Sequence, residues 1–371
     1  MNKKKYLIFL TALLAVVLTA GCGKKNKDKE HTPAPVKEET IELFEQKDNY
    51  VFGFAGTDME DPFFDIVKRA MEIEFADYEI ELRTSAAGSD QDLQLEQINA
   101  FIEEGVDIVF LSPVDKELVK PGLEALDEAH IPVINIDSKV DDLSLVHSFV
   151  GSNNKELGKM CAEHLVAKLP EGGNVVILEN FSSHAVNDRI NGFEQELSKE
   201  NFQVVGRRET TCDFEGGYEA MMSLYEACSE KNVKIDAVMC GNDNMALGAE
   251  KALEEIYNVK PKVVTEEERE KEALLLSEMT DEERAEVEAL KYKNRVLVYG
   301  VNGSPEAKET LAKNGSFIVA TAAQSPINIG MEAAEIALDI IKNKEYETEV
   351  TTPSYLIHNG NIVLYGTNGW Q

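Results

Sequence analysis

From Tyr50 onward the apolar positions follow two alternating rhythms. Short apolar runs are each followed by a turn and then by apolar residues at helical spacing. "YVFGFAG" (50–56) predicts a strand. "FFDIVKRAMEIEFA" (63–76) predicts a helix with Phe63, Ile66, Val67, Ala70 and Met71 on one face. "EIELRTS" (79–85) alternates as a strand, and "DQDLQLEQINAFIEEG" (90–105) predicts a helix stopped by Gly105. "VDIVFLSP" (106–113) and "IPVINID" (131–137) read as buried strands. Strand and helix alternate, which predicts a parallel α/β sheet.

The rhythm restarts after "SFVGSNN" (148–154). Strands are expected at 173–180, 203–210, 235–240, 294–303 and 317–323, with helices between them and a last long helix at 328–343. The tail "TPSYLIHNGNIVLYGTNGWQ" (352–371) reads as strand-like. One segment breaks the pattern. Residues 265–294 sit where a short link is usual. Thr265 with Glu268 and Thr280 with Glu283 each match a capping box, predicting two short acidic surface helices. Leu274, Leu275 and Leu276 give this insert a candidate contact face.

The start of the chain has a different character. "MNKKKYLIFLTALLAVVLTAGC" (1–22) has a basic start, an apolar run and a small-residue end, the layout of a secretory signal peptide. The run from Tyr6 to Ala20 is short for a membrane span. Leu18-Thr19-Ala20-Gly21-Cys22 resembles the bacterial lipobox, which implies a signal peptide at 1–21 and a lipid-anchored Cys22. The polar segment that follows, within 22–48, predicts a disordered tether. The folded part is therefore expected outside the cytoplasmic membrane.

Length and charge narrow the function. With 371 residues the chain has room for two domains. A net charge of −31 argues against a nucleic-acid partner. Cys161, Cys212, Cys228 and Cys240 have no metal spacing and read as free thiols. There is no GxGxxG after the first strand, no P-loop, no GxSxG elbow and no HExxH pair. Nothing recommends an enzyme, a cofactor or a metal.

In open α/β sheets ligands gather beyond the carboxyl ends of the strands. There the sequence places Asp61, Phe63 and Phe64, then Asp115, then Asp137 and Ser138. Beyond the later strands come Ser182, His184, Asp188 and Arg189, then Asp213 and Phe214, Asn242 and Asp243, Asn302, and Gln324. Carboxylates and amides accept from hydroxyls, and an arginine donates in a planar fork. Ring faces cover the apolar side of a sugar. This mix suits a neutral polyol. Asp188 and Asp243 read instead as caps of the helices that follow.

The ordered motifs now carry a resemblance. "DPFF" (61–64), "GVDIVFLSPVD", "IPVINIDS", "VGSNNKELGKMCAEHL", "DRINGF", "GNDNMALGAEKAL", "VYGVNG" and "AAQSPINIG" together resemble the type I periplasmic sugar-binding proteins of the ribose- and galactose-binding kind. The resemblance covers about 50–371 apart from the insert. It implies two doubly wound parallel-sheet α/β lobes joined by three hinge crossovers. The lobes would be 49–151 with 325–352, and 152–324 with 353–371. It further implies that Phe63, Phe64 and Phe214 sandwich a sugar ring, and that Asp61, Asp137, Arg189, Asn242, Asn302 and Gln324 bond its hydroxyls. The partner would be an ABC importer, and the protein is expected to act as a monomer. A sensory receptor using the same cleft, and an extracytoplasmic enzyme, are the alternatives. Three positions depart from the family pattern. Asn302 stands where aspartate is usual, Asp61 where ribose-like members have asparagine, and Ser138 where pentose binders carry arginine. They bear on which sugar is bound, ribose included.

Overall fold

Among the residues that the computed structural model describes (44–59, 61–280, 283, 287 and 295–370), the strands gather into two six-stranded sheets. The first contains β1 (Tyr50–Gly56), β2 (Ile80–Ala86), β3 (Ile108–Leu111), β4 (Val133–Ile136), β5 (Ser148–Ser152) and β11 (Glu349–Thr352). Its order is β11-β5-β4-β3-β1-β2, and every pairing is parallel. The second contains β6 (Gly173–Glu179), β7 (Phe202–Glu209), β8 (Ala237–Cys240), β9 (Leu297–Asn302), β10 (Ile318–Ala323) and β12 (Tyr355–His358). Its order is β12-β10-β9-β8-β6-β7.

Helices cover both faces of each sheet, which is why β3, β4 and β8 are buried throughout, apolar except for Asn135. On the first sheet, α1 (Pro62–Glu74) and α10 (Pro326–Ile341) bury Val67, Met71, Ile329 and Ala333 against Phe52, Phe54 and Phe110. On its other face, α2 (Gln91–Glu104) and α3 (Lys120–Glu128) bury Ile98, Phe101, Leu123 and Leu126. Gly105 ends α2 in a left-handed conformation at φ 68. On the second sheet, α4 (Asn154–Lys168) and α5 (His184–Leu197) cover one face, and α6 (Phe214–Glu230) and α7 (Asp243–Tyr257) the other.

The crossing of α4 over α5 explains two glycines of the motifs. A Cβ on Gly158 would lie 1.7 Å from the Arg189 carbonyl oxygen, and one on Gly192 would lie 2.0 Å from that of Lys155. The two helices therefore touch backbone to backbone, and this contact sets the position of Arg189.

The chain passes between the sheets three times: from β5 into α4, from β10 into α10, and from β11 into β12. The last passage corrects one expectation, because β12 runs antiparallel to β10. Only Pro353 and Ser354 separate β11 from β12. Two residues span roughly 7 Å. The chain must therefore enter the second sheet at the end nearest the first and run away from it. A second correction concerns the tail, where Ile362–Tyr365 forms a short helix, α11, not a strand.

In the insert, α8 (Glu266–Ser277) begins with the expected capping box at Thr265 and Glu268. Thr280 and Glu283 make the same reciprocal bonds. Leu274 and Leu275 are exposed and Leu276 is half-buried. Most of the second expected helix lies outside the described residues. So does the signal-peptide and lipobox reading, Cys22 included.

Candidate functional site

The carboxyl ends of both sheets face a common cavity of about 540 Å³ between the lobes. Its size is in the usual range for small-molecule sites, about 300–1,000 Å³. Asp61, Phe63, Phe64 and Asp137 line it from the first lobe, and Arg189, Asn242 and Asn302 from the second, with Gln324 at the crossing between them. Phe214 is not among the lining residues. It is the first residue of α6, stands 45% exposed, and follows the lining residue Asp213.

The Asp61 stretch builds the first wall. Asp61 caps α1, its Oδ1 accepting from the Phe63 N–H at 2.8 Å, and Pro62 opens the helix. Both rings that follow are buried, and both reach the cavity. Phe63 meets Phe64 edge-on at 5.3 Å between centroids, and Phe64 meets Phe54 at 6.2 Å. Burial raises the Asp61 pKa first. The Phe63 N–H opposes this, while Asp58, Asp137 and Glu306 add to it.

Asp137 follows β4 with φ 61, a left-handed conformation that aspartate tolerates better than most residues. Buried Asn135 holds this turn. Its amide donates to the carbonyls of Leu111 and Ser138 at 3.0 and 2.8 Å, and its Oδ1 accepts from the Val140 N–H at 3.0 Å. Gln94 likewise fastens the neighbouring lip, donating to Ser112 and accepting from Val114, both at 2.9 Å. Neither Asn135 nor Gln94 was expected from the sequence. Each left a signal there: an amide inside an apolar strand, and an amide in line with Ile98 and Phe101 on α2.

Arg189 stands on α5 at 4% exposure. Its Nε donates to Asn154 Oδ1 at 2.8 Å, and one terminal nitrogen donates to the Gly241 carbonyl at 2.9 Å. Burial lowers its pKa and Asp137 raises it back. The converse holds for Asp137, whose pKa burial raises and Arg189, then the Gln324 side chain, lower. Each shifts the pKa of the other from the opposite lobe.

Asn242 lines the cavity but is already committed. It caps α7, with its Oδ1 accepting from the Met245 N–H at 2.9 Å, and its Nδ2 donates to the Cys212 carbonyl at 2.7 Å. The expected caps Asp243 and Asp188 do not cap. Asp243 is buried and clamps Thr321 and Ser304, at 2.6 and 2.7 Å. Asp188 lies inside α5, which Ser183 caps, and sits near Lys155 and His184. Asn302, at the end of β9, has φ 144, and its carbonyl accepts from the Gln324 N–H. Left-handed or strained backbone at two facing cavity positions, 137 and 302, is typical of functional sites.

Gln324 is 1% exposed, yet neither end of its amide makes a hydrogen bond of full geometry within the described residues; its side chain neighbours Asp137, whose pKa it lowers. Asp137 Oδ1 lacks such a bond as well. Above them the lobes touch directly. Ser138 Oγ accepts from the Ala185 N–H, and His184 Nδ1 donates to the Lys139 carbonyl at 2.8 Å. Cys161, Cys228 and Cys240 are buried free thiols, while Cys212 is half-buried on the cavity wall.

A profile described as "Periplasmic binding protein domain" matches residues 52–278, more than half of the chain. The chain belongs to the periplasmic binding protein family. This is a family of extracytoplasmic solute-binding proteins, not of enzymes. The ribose import binding protein of Bacillus subtilis is 25% identical over 309 residues, covering 83% of this chain and 87% of that one. The galactofuranose-binding protein of Escherichia coli is 30% identical over 182 residues, covering 47% and 57%. Among solved structures, a solute-binding protein of Bacillus halodurans with bound myo-inositol superposes with a TM-score of 0.70. It is 24% identical, with 86% of this chain and 98% of that one covered. This periplasmic binding protein thus has the two parallel-sheet lobes of its relatives, and its cavity lies between them.

Proposed function

We propose that the protein captures a sugar in the interlobe cleft and hands it to an ABC importer. The observation that carries this reading is the Gln324–Asp137 pair, buried at the cavity wall with both ends of the Gln324 amide lacking a hydrogen bond of full geometry. An unpaired buried polar group costs about 1–3 kcal/mol. Asp137 Oδ1 likewise has no hydrogen bond of full geometry, in the cavity that the Phe63 and Phe64 rings also line. A molecule with several hydroxyls and an apolar ring face answers both demands. The ribose import and galactofuranose-binding relatives support the class.

In this reading Asp61, Asp137, Arg189, Asn302 and Gln324 bond hydroxyls, and Phe63 and Phe64 cover the ring. Asn242 contributes its remaining lone pair and N–H. Phe214, on the rim, reaches the sugar only when the lobes close further. The lobes, 49–151 with 325–352 and 152–324 with 353–371, move as two bodies about the three crossings. Closure is favoured when ligand touches both. The protein acts as a monomer, is no enzyme, and is held to the membrane by lipid on Cys22. The Cys22→Ala precursor is expected in the soluble fraction; normal lipid attachment of that mutant would remove the anchor from this account.

Thermal melting with a panel of saccharides tests the proposal. A ligand at a hundred times its Kd adds about 2.7 kcal/mol to the native state. At least one saccharide is expected to raise Tm by several degrees. A panel that leaves Tm unchanged, together with turnover of any of its members, would replace the binding reading with an enzymatic one.

A further inference from the structure

The sequence contains a single tryptophan, Trp370, and it lies against a ring of the cleft. Its indole meets Phe63 edge-on, 5.9 Å between centroids at 71°. Trp370 packs onto the core of the first lobe, yet it follows β12, which belongs to the second sheet. The residue before it is held by the second lobe. Lys308, on α9 (Pro305–Leu311), is fully buried and its Nζ donates to the Gly369 carbonyl at 2.7 Å. Adjacent residues are thus fixed to different lobes. The chain passes between the lobes once more, and this passage ends on a cavity-lining ring.

We propose that Trp370 is a positioning residue for Phe63, and that Lys308 ties it to the second lobe so that lobe closure and the setting of the Phe63 ring move together. Phe63 touches the cavity on one side and Trp370 on the other, and Trp370 itself does not line the cavity. The indole therefore acts through Phe63. Lys308 is enclosed by protein, its pKa lowered by burial against the opposing charge of Asp243, and it directs its ammonium to the Gly369 carbonyl. Its placement is understandable if the position of that segment matters. When the lobes rotate, the Gly369 carbonyl follows Lys308 while the indole stays on the first lobe. The strain falls on the Trp370–Phe63 contact, whose edge-on geometry it adjusts.

The proposal rests on the cleft being the ligand site, and two arms keep the two ideas apart. The first needs no ligand. Trp370 fluorescence reports this contact alone among tryptophans. In the free protein, Lys308→Met is expected to increase acrylamide quenching of Trp370, and Phe63→Leu to shift its emission. Wild-type quenching and emission in both variants would overturn the proposal, whatever the cleft binds. The second arm titrates D-ribose, D-fructose, L-arabinose, D-allose and myo-inositol. With whichever raises Tm, Trp370→Ala is expected to weaken affinity about threefold to tenfold, the worth of one aromatic contact, and Trp370→Phe to restore most of it. Wild-type emission should also change on saturation. Unaltered affinity in Trp370→Ala would overturn the proposal and leave the sugar reading standing. Failure of all five compounds to raise Tm would count against the sugar reading, with the first arm still deciding this one.

Discussion

Ser138 on the first lobe accepts, at its hydroxyl, a hydrogen bond of 3.1 Å from the backbone N–H of Ala185 on the second. Ala185 is the second residue of α5, so this N–H has no acceptor within its own helix. Ser183 caps the same helix from within by bonding Val186. One lobe therefore completes the cap of a helix in the other. Ser138→Ala removes that bond, worth about 1 kcal/mol. Sugar affinity by calorimetry is expected to fall about fivefold, and the radius of gyration of the free protein by X-ray scattering to grow. No change in either would show that the contact plays no part in closure.

Arg189 has two duties, and its removal should show both. Truncation to alanine takes away the partner charge of Asp137 and the donors to Asn154 and Gly241. Binding should be lost. The stranded acceptors should also cost about 1–3 kcal/mol of stability, or several degrees of Tm. Calorimetry and thermal melting read the two effects separately. Full affinity in Arg189→Ala would remove it from the site.

Glu250 makes a pH prediction. It is buried in the second lobe, where one oxygen accepts from the Ile318 N–H at 2.7 Å and the Phe317 N–H and Ser316 hydroxyl also favour the charged form, more weakly than burial opposes it. Burial raises its pKa from 4.5 to about 7. The native state thus holds a proton that the unfolded chain releases. The carboxyl contributes no penalty below pH 4.5, a growing one from there to about pH 7, and a constant one above. The penalty is about 3 kcal/mol at most. Glu250→Gln is expected to match wild-type Tm at pH 4.5 and exceed it at pH 8. Parallel Tm curves for the two proteins would contradict this.

What the sequence made legible follows from what each signal physically encodes. The two rhythms located the strands and helices because doubly covered sheets leave β3, β4 and β8 buried on both faces, with Asn135 their one polar residue. The cavity residues were found by position, at the strand ends. Their duties were harder to read, because the loops that face the ligand also start helices. Asp61, Asp213 and Asn242 suit either task, and each of the three caps a helix. Asn242 was expected to serve the ligand and Asp243 to cap; the cap fell to Asn242, because Asp243 is drawn inward to Thr321 and Ser304. Phe214 was placed beside the ligand by its position after a strand and by the family resemblance, and it stands exposed next to the lining residue Asp213. The antiparallel pairing of β12 with β10 and the return of Trp370 to Phe63 depend on contacts between residues distant in sequence, and no periodicity carries those.

The most direct test is a crystal structure grown with the saccharide that most raises Tm. The account predicts the sugar between the Phe63 and Phe64 rings and Arg189, with hydroxyls in hydrogen-bond contact with Asp137 Oδ1 and with both ends of the Gln324 amide. A saccharide bound elsewhere, or bound in the cleft without hydrogen bonds to Gln324 and Asp137, would contradict it.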